Sequence, residues 1–205
     1  MNHYFIGKIL NIPDSKKLNS GQTFISRNIK VAPTGKIFKF NTKFAYLGYM
    51  DHQTFLELQN KISNVLEALS EKFGPQTCKY TKYDITGLKT TKKSISILYS
   101  CNNINNVIVP YLRSYINEIT GDTSDFKPHV SLLRVDASDI KEVLKEDNTG
   151  KNILEKVFLP KENTLLIDSI DIMRGIPKIK RSGTPSRLDD MDIEFVSKYA
   201  LNGKL

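Results

Sequence analysis

The chain has 205 residues, of which 40% are hydrophobic and 25% are charged, and it contains 2 cysteines. This composition excludes a disordered chain, a collagen-like chain and a disulfide scaffold. With 30 Lys and Arg residues against 22 Asp and Glu residues, the net charge is +8, which favours anionic partners such as nucleotides, RNA or phosphorylated ligands.

Two strands are predicted in the first fifty residues. Residues 3–10 (HYFIGKIL) are rich in aromatic and β-branched side chains and predict a buried strand, with His3 exposed at its start. Residues 13–36 predict a loop, because they are polar and show no apolar period. The alternation of residues 36–49 predicts the second strand.

A long amphipathic helix and a β-hairpin are predicted next. Asp51 is suited to cap the helix and Gly74 to end it, with apolar residues at three- and four-residue spacing between them: Phe55, Leu58, Ile62, Leu66, Leu69 and Phe73. Residues 77–85 and 93–99 then predict two strands on either side of a TGLKTT loop.

The remainder of the chain predicts a second long helix and two further strands. Apolar residues recur at helical spacing over residues 104–119, where Pro110 predicts a kink or a delayed start. Residues 128–135 predict a strand, residues 138–144 a short helix and residues 163–173 a last strand. Strands mixed with helices in this order indicate an α+β fold.

The predicted elements divide the chain into one domain and a tail. We assign residues 1–175 to the domain and residues 176–205 to a C-terminal extension, first basic (KIKRSGTPSR) and then acidic (LDDMDIE). Within the domain, residues 39–47 align without a gap to residues 127–135, and each segment precedes a turn and a predicted helix. The alignment indicates two related halves.

The residues best suited to chemistry are His129 and Ser131. They lie two positions apart on a predicted strand, so both side chains leave the same face of the sheet. An imidazole can transfer a proton at neutral pH, and a neighbouring hydroxyl can donate to a phosphate oxygen. A single histidine in a strand is also common as a structural residue, so the pair alone does not establish a site.

The segment around this pair, residues 126–135 (FKPHVSLLRV), resembles the second motif of the 2H phosphoesterase (LigT-like) superfamily. The order of predicted elements over residues 3–173 resembles the same family. The resemblance implies a bilobal sandwich of two pseudo-symmetric antiparallel sheets with flanking helices. It also implies activity on cyclic or linear phosphodiesters in RNA ends and nucleotides.

The first motif of that family is incomplete in this chain. Each half of a family member supplies His-x-Thr or His-x-Ser, and the alignment places Asn41 and Lys43 at these two positions. An asparagine amide cannot shuttle a proton, and loss of one proton-transfer group lowers a rate by ~10²- to 10⁴-fold. Lys43 adds a positive charge that can bind phosphate.

Other candidate residues are fewer. We expect Lys127 and Tyr80 to contribute to ligand binding along with Asn41 and Lys43, although a tyrosine in a strand is more commonly a buried core residue. His52 begins a predicted helix and is expected to take no part. No spacing of His, Cys and acidic residues predicts a metal, and no motif predicts a cofactor.

Two functions follow from these residues. The protein either hydrolyses a nucleotide phosphodiester, such as a 2′,3′-cyclic phosphate RNA end or a cyclic nucleotide, with His129 and Ser131 as the catalytic residues, or it only binds and sequesters such a nucleotide. An RNA-binding or interaction module is the third alternative. No apolar run approaches the ~20 residues of a membrane span, and we expect a cytoplasmic protein without membrane contact.

Overall fold

The computed structural model describes residues 1–10, 12–28, 40–86, 92–101, 106–124, 126–136, 138, 164–177 and 191–203. These residues form eight strands and three helices, which confirms the α+β class. In chain order they are β1 (Asn2–Ile9), α1 (Ile12–Asn28), β2 (Asn41–Met50), α2 (His52–Lys72), β3 (Gln76–Thr86), β4 (Lys92–Ser100), α3 (Ile108–Thr120), β5 (His129–Asp136), β6 (Thr164–Ile167), β7 (Ser169–Pro177) and β8 (Met191–Ala200).

The strands form one antiparallel sheet in the order β6-β3-β4-β5-β2-β1-β7-β8. Its first four strands and its last four strands make two halves that meet at a seam between β5 and β2. Within the described residues, the ladder across this seam consists of the single pair Thr42↔Val130. The sheet is therefore continuous, unlike the two separate sheets that the family resemblance predicts, although its halves are joined by very little pairing.

The sheet is strongly curled. Asp168 alone separates β6 from β7, yet these strands hold the first and seventh places in the sheet. In a flat sheet six strand spacings would separate them by about 29 Å, whereas two residues of chain span at most about 7 Å. The single strand predicted over residues 163–173 is thus two strands, one in each half.

The twofold relation seen in the sequence has a structural counterpart. The register of β1 on β2 skips Phe44, and the register of β4 on β5 skips Leu132. Both skipped residues hold the sixth place in the aligned segments 39–47 and 127–135. Each is a β-bulge, which turns the residues after it onto the opposite face.

The long helices largely follow the sequence prediction. The carboxylate of Asp51 caps α2 by accepting from the Thr54 backbone N–H at 2.8 Å, and Phe55 at its buried face stacks on Tyr4 of β1 with ring centroids 3.9 Å apart. Helix α3 begins at Ile108, so Pro110 lies in its first turn, where no backbone N–H has a partner within the helix. The predicted hairpin is β3 and β4.

The predicted loop over residues 13–36 is wrong, because helix α1 occupies much of it. Buried residues recur at helical spacing along α1, but one of them, Gln22, is polar. Its side-chain amide donates to the backbone carbonyl of Leu132 at 2.9 Å. A polar residue therefore holds a core-facing position and interrupts the apolar period on which the prediction depended.

The predicted C-terminal extension also differs from the structure. Strand β8 pairs with β7 along its length and forms one edge of the sheet. Its sequence, MDIEFVSKYA, mixes charged and apolar residues because an edge strand is largely exposed. The basic segment 178–187 and most of the predicted helix at 138–144 lie outside the described residues. Among the helices that are described, none is long and apolar enough to cross a membrane.

The chain passes between the two halves at two crossovers, one at residues 73–75 after α2 and the other at Asp168. The C-terminal segment, residues 201–203, contacts both. The backbone N–H of Leu201 donates to the Asp168 carbonyl at 2.9 Å, and that of Gly203 donates to the Phe73 carbonyl at 3.1 Å. Lys8 forms an ion pair with the Asp168 carboxylate.

Candidate functional site

The sequence-predicted site residues lie at the seam. Thr42 and Val130, the residues paired across it, are both fully buried toward the hydrophobic core. Side chains alternate along a strand, so the residues on either side of this pair leave the opposite face of the sheet. We call that face the polar face; at the seam it carries Asn41, Lys43, His129 and Ser131.

The antiparallel pairing also determines which of these residues are opposite one another. Because β2 and β5 run in opposite directions from the Thr42 pair, Lys43 lies across from His129 and Asn41 lies across from Ser131. All four are partly exposed. The structure therefore brings together the four residues from the two motifs on one small area.

The two bulges add Arg134 and Tyr46 to the polar face. Strict alternation would direct both side chains into the core, whereas each follows a skipped residue and lies on the same face as the motif residues. Burial lowers the pKa of Lys43 and of His129, and the positive charge of Arg134 adds to that effect at both residues. Sequence alternation alone missed both residues, and a bulge in each motif strand is the signal that would have found them.

The backbone of Lys127 fixes the tautomer of His129. Its Nδ1 lies 2.8 Å from the backbone carbonyl oxygen of Lys127, and since a carbonyl can only accept, Nδ1 carries the proton and Nε2 carries the lone pair. Burial lowers the pKa of the imidazole, with smaller contributions from Lys43 and Arg134, while the Lys127 carbonyl opposes them. His129 is therefore a neutral base at pH 7.

Lys43 has an unusual environment for a lysine. Its Nζ lies 4.7 Å from the ring centroid of Phe5 and 5.3 Å from that of Tyr46. Burial, and then the charge of Arg134, lower the pKa of Lys43 to about 8. No acidic side chain among the described residues forms an ion pair with it. Its ammonium group is thus a proton donor that titrates close to neutral pH.

Aromatic rings form a wall beside these two residues. Tyr46 meets Phe126 edge to face with centroids 4.7 Å apart, and the Phe126 ring lies 5.4 Å from the His129 ring. The guanidinium carbon of Arg113 lies 5.6 Å from the Phe126 centroid. Burial raises the pKa of Tyr46 to about 12, so its hydroxyl keeps its proton and remains a hydrogen-bond donor.

His3 is buried, and the prediction that it is exposed is wrong. It lies inside β1 opposite Tyr49 and stacks on that ring at 4.6 Å, with 4% of its surface exposed. Burial, together with the charge of Lys43, lowers the pKa of His3 to about 3. It is therefore uncharged at neutral pH and adds an apolar ring to the polar face.

Two other predicted ligand-binding residues, Lys127 and Tyr80, lie apart from the four motif residues. The side chain of Lys127 is exposed, and its backbone carbonyl oxygen contacts His129 Nδ1. Tyr80 pairs with the buried Tyr99 and packs against the hydrophobic core, on the face opposite His129. His52 lies at the exposed start of α2. Among the described residues no group of His, Cys, Asp and Glu is suited to a metal.

Gly7 separates Lys43 from an acidic residue of β7, Asp171. Gly7 pairs with Lys43 on one side and with Asp171 of β7 on the other. A Cβ at Gly7 would lie 2.1 Å from the Thr42 carbonyl oxygen, so the bulge leaves no room for a side chain. Asp171 is buried, and its Oδ1 has no hydrogen-bond partner.

Comparison with known proteins identifies the fold. No family model and no curated protein matches the sequence. Solved structures match nearly the whole chain: TT0787 of Thermus thermophilus with a TM-score of 0.59, 14% identity and coverage of 99% of this chain and 100% of that one; and E. coli LigT in apo form with a TM-score of 0.55, 14% identity and coverage of 97% and 96%.

A third similar structure is Kluyveromyces marxianus Usb1 with uridine monophosphate, with a TM-score of 0.55, 10% identity and coverage of 98% of this chain and 97% of that one. LigT and Usb1 are 2H phosphoesterases. The chain therefore has the 2H phosphoesterase fold, as the motif around His129 predicted. At these identities the likeness concerns the fold alone.

Proposed function

We propose that the polar face at the seam binds the phosphate of a nucleotide phosphodiester and that His129 acts on it as a proton-transfer residue. The observation that supports this most is the antiparallel pairing at Thr42, which sets Lys43 opposite His129 with Arg134 on the same face. Two cations and a basic imidazole nitrogen therefore lie on one face of the sheet, next to the aromatic rings of Tyr46 and Phe126.

The chemistry of these groups suits a phosphate diester. Lys43 and Arg134 supply positive charge to a singly charged phosphate, and hydrogen bonds from charged donors are about twice as strong as neutral ones. The Ser131 hydroxyl and the Asn41 amide, which lie across from each other in the next row of the seam, add neutral donors. The aromatic wall of Tyr46 and Phe126 offers a surface on which a base can stack.

His129 is suited to activate a nucleophile. Its Nε2 lone pair can accept a proton from water or from a ribose 2′-hydroxyl, while the Lys127 carbonyl fixes the ring from the other side. The substrates we propose are RNA ends with a 2′,3′-cyclic phosphate and cyclic nucleotides or oligonucleotides. Structures of E. coli LigT hold phosphate, NADP+, ATP and 3′-AMP, which supports a nucleotide ligand.

A second candidate function is binding without turnover, and Asn41 is the observation that favours it. The amide at this position can donate to a phosphate oxygen but cannot exchange a proton with it. On this alternative the protein sequesters a cyclic nucleotide messenger or acts as an RNA-binding module.

Calorimetry with cyclic dinucleotides, 2′,3′-cyclic UMP and RNA ending in a 2′,3′-cyclic phosphate tests the proposal. We expect at least one of them to bind, and Lys43→Glu to weaken that binding by ten-fold or more, since about 1.4 kcal/mol corresponds to a factor of ten. Lys61→Glu, which makes the same charge change on the exposed side of α2, is the control. If no member of this panel binds, the proposed function is wrong.

The pH dependence of binding tests the part of His129. A bound phosphate favours the imidazolium, so the pKa of His129 is higher in the complex than in the free protein, where burial lowers it. The complex then holds more protons, and affinity falls as the pH rises between these two pKa values. His129→Ala should abolish that step, and His52→Ala should leave it. Lys43, with a pKa of about 8, adds a separate step at higher pH; only a step below that pKa that survives in His129→Ala would exclude His129.

A further inference from the structure

We infer that Lys43 is the second proton-transfer residue of this site and that its ammonium group protonates the leaving oxygen, in place of the histidine absent at position 41. The inference rests on the proposed function and goes beyond it, because it assigns Lys43 a chemical step rather than a binding charge. It also removes the objection that Asn41 raises against catalysis.

The position of Lys43 suits this role. It lies directly across the seam from His129, and both residues border the same aromatic wall: Lys43 Nζ is 5.3 Å from the Tyr46 centroid and the His129 ring is 5.4 Å from the Phe126 centroid. A phosphate held against Tyr46 and Phe126 can therefore meet an acid and a base on different sides, which is the requirement for in-line displacement at phosphorus.

The surroundings of Lys43 favour release of its proton. Its Nζ lies against the Phe5 and Tyr46 rings, and burial and then the like charge of Arg134 on β5 lower its pKa. From β1 it faces His3, which is neutral, and from β7 the carboxylate across Gly7 makes no ion pair with it. The resulting pKa of about 8 is close to the pH at which an acid must work.

The step we infer balances in atoms and charge. His129 Nε2 takes the proton of water or of the 2′-hydroxyl as its oxygen forms a bond to phosphorus. The bond from phosphorus to the leaving oxygen breaks, and that oxygen takes a proton from Lys43 Nζ. The step leaves His129 as imidazolium and Lys43 as a neutral amine. Exchange with solvent restores both.

Two diesters that differ only in their leaving group separate an acid from a binding charge. In uridylyl-(3′,5′)-uridine the departing alkoxide needs a proton, whereas in uridine 3′-(p-nitrophenyl phosphate) the phenolate leaves without one. Lys43→Arg keeps the positive charge but removes a proton donor of suitable pKa. We expect it to lower kcat on the dinucleotide by ~10²- to 10⁴-fold and on the nitrophenyl ester by less than about tenfold.

Lys61→Arg, on the exposed side of α2, is the matched control and should change neither rate. Equal losses on both diesters would overturn the inference and leave Lys43 as a binding residue. Wild-type protein that binds nucleotides but hydrolyses neither diester would overturn it too, without affecting the proposed binding. Absence of all nucleotide binding would instead remove the proposed function.

The pKa of Lys43 can be measured in the wild-type protein, independently of any activity assay. In wild-type protein with ¹³C-dimethylated lysines, one NMR signal should titrate near pH 8, well below the ~10.4 of an ordinary lysine. That signal should be missing from Lys43→Arg and present in Lys61→Arg. A spectrum in which every lysine titrates above about pH 10 would overturn the inference.

Discussion

His3 shows how a single buried imidazole links the polar face to the pH dependence of folding. Its ring stacks on Tyr49 and lies beside Phe5 and Tyr46, so protonation would place a charge among aromatic rings and close to Lys43. The folded protein resists that charge down to about pH 3, whereas the unfolded chain accepts it near pH 6.5.

We therefore expect acid to destabilise the fold through His3. Between pH 6.5 and about 3 the unfolded state binds a proton that the folded state does not, so this stability is complete above pH 6.5 and falls by up to about 1.4 kcal/mol per unit as the pH drops. Urea unfolding at pH 7, 6, 5 and 4 measures the slope.

His3→Phe should reduce that slope, because it keeps a ring at the site and removes the titrating group. His52→Phe, a change at an exposed histidine, should retain the full slope. Equal slopes for wild type and His3→Phe would mean that other groups cause the acid sensitivity.

At the level of elements, the paired bulges decide which side chains reach the site. Each motif strand presents two residues at regular alternation and then, after its bulge, a third that alternation alone would bury. In β5 the third residue is Arg134 and in β2 it is Tyr46. The bulge in β2 also requires a glycine on the opposing strand, because a side chain at Gly7 would collide with the β2 backbone.

Gly7→Ala tests this condition. The added Cβ would lie 2.1 Å from the carbonyl oxygen of Thr42, the residue between Asn41 and Lys43, so the backbone there has to shift. We expect a loss of stability of about 1–3 kcal/mol and weaker nucleotide binding, measured by urea unfolding and calorimetry. Unchanged values for both would show that the bulge does not position Lys43.

The same elements show what the sequence could and could not predict. Helix α2 was predictable because its apolar residues keep one period from Phe55 to Leu69. Helix α1 was not predictable, because the polar residue Gln22 takes a core position in it. Strand β8 was not predictable either, because it is an edge strand that mixes charged and apolar residues. The motif predicted that Asn41, Lys43, His129 and Ser131 share a face, but no pattern within a strand indicates a bulge, and Arg134 and Tyr46 were missed for that reason.

At the scale of the whole molecule, the two halves have related motif strands, but the residues that these strands place at the seam differ. The alignment of the two motif segments relates Asn41 to His129 and Lys43 to Ser131. On our inference each half still supplies one proton-transfer residue, but from different places in the motif. The pairing at Thr42 sets those two places opposite each other, so the asymmetric choice of residues gives a facing acid and base.

The contact of the C-terminal segment with both crossovers predicts a stability effect far from the site. A Cβ at Gly203 would lie 2.2 Å from the carbonyl carbon of Lys72, so Gly203→Ala should weaken this contact by about 1–3 kcal/mol. Asn202→Ala, at an exposed side chain, should change stability by less than about 0.5 kcal/mol. Thermal unfolding compares the two, and an unchanged melting temperature in Gly203→Ala would contradict this packing.

One half of the sheet is an insertion in the chain of the other half. Residues 76–167 form this insertion. Its two ends, Gln76 and Ile167, are paired with each other in the sheet, so both connections to the other half lie close together. The segment after β8 fastens both points of attachment. These hydrogen bonds restrain the insertion relative to the rest of the sheet at both points of attachment. On our proposal, a nucleotide would therefore bind a seam that is already assembled and would lose little free energy to ordering the protein.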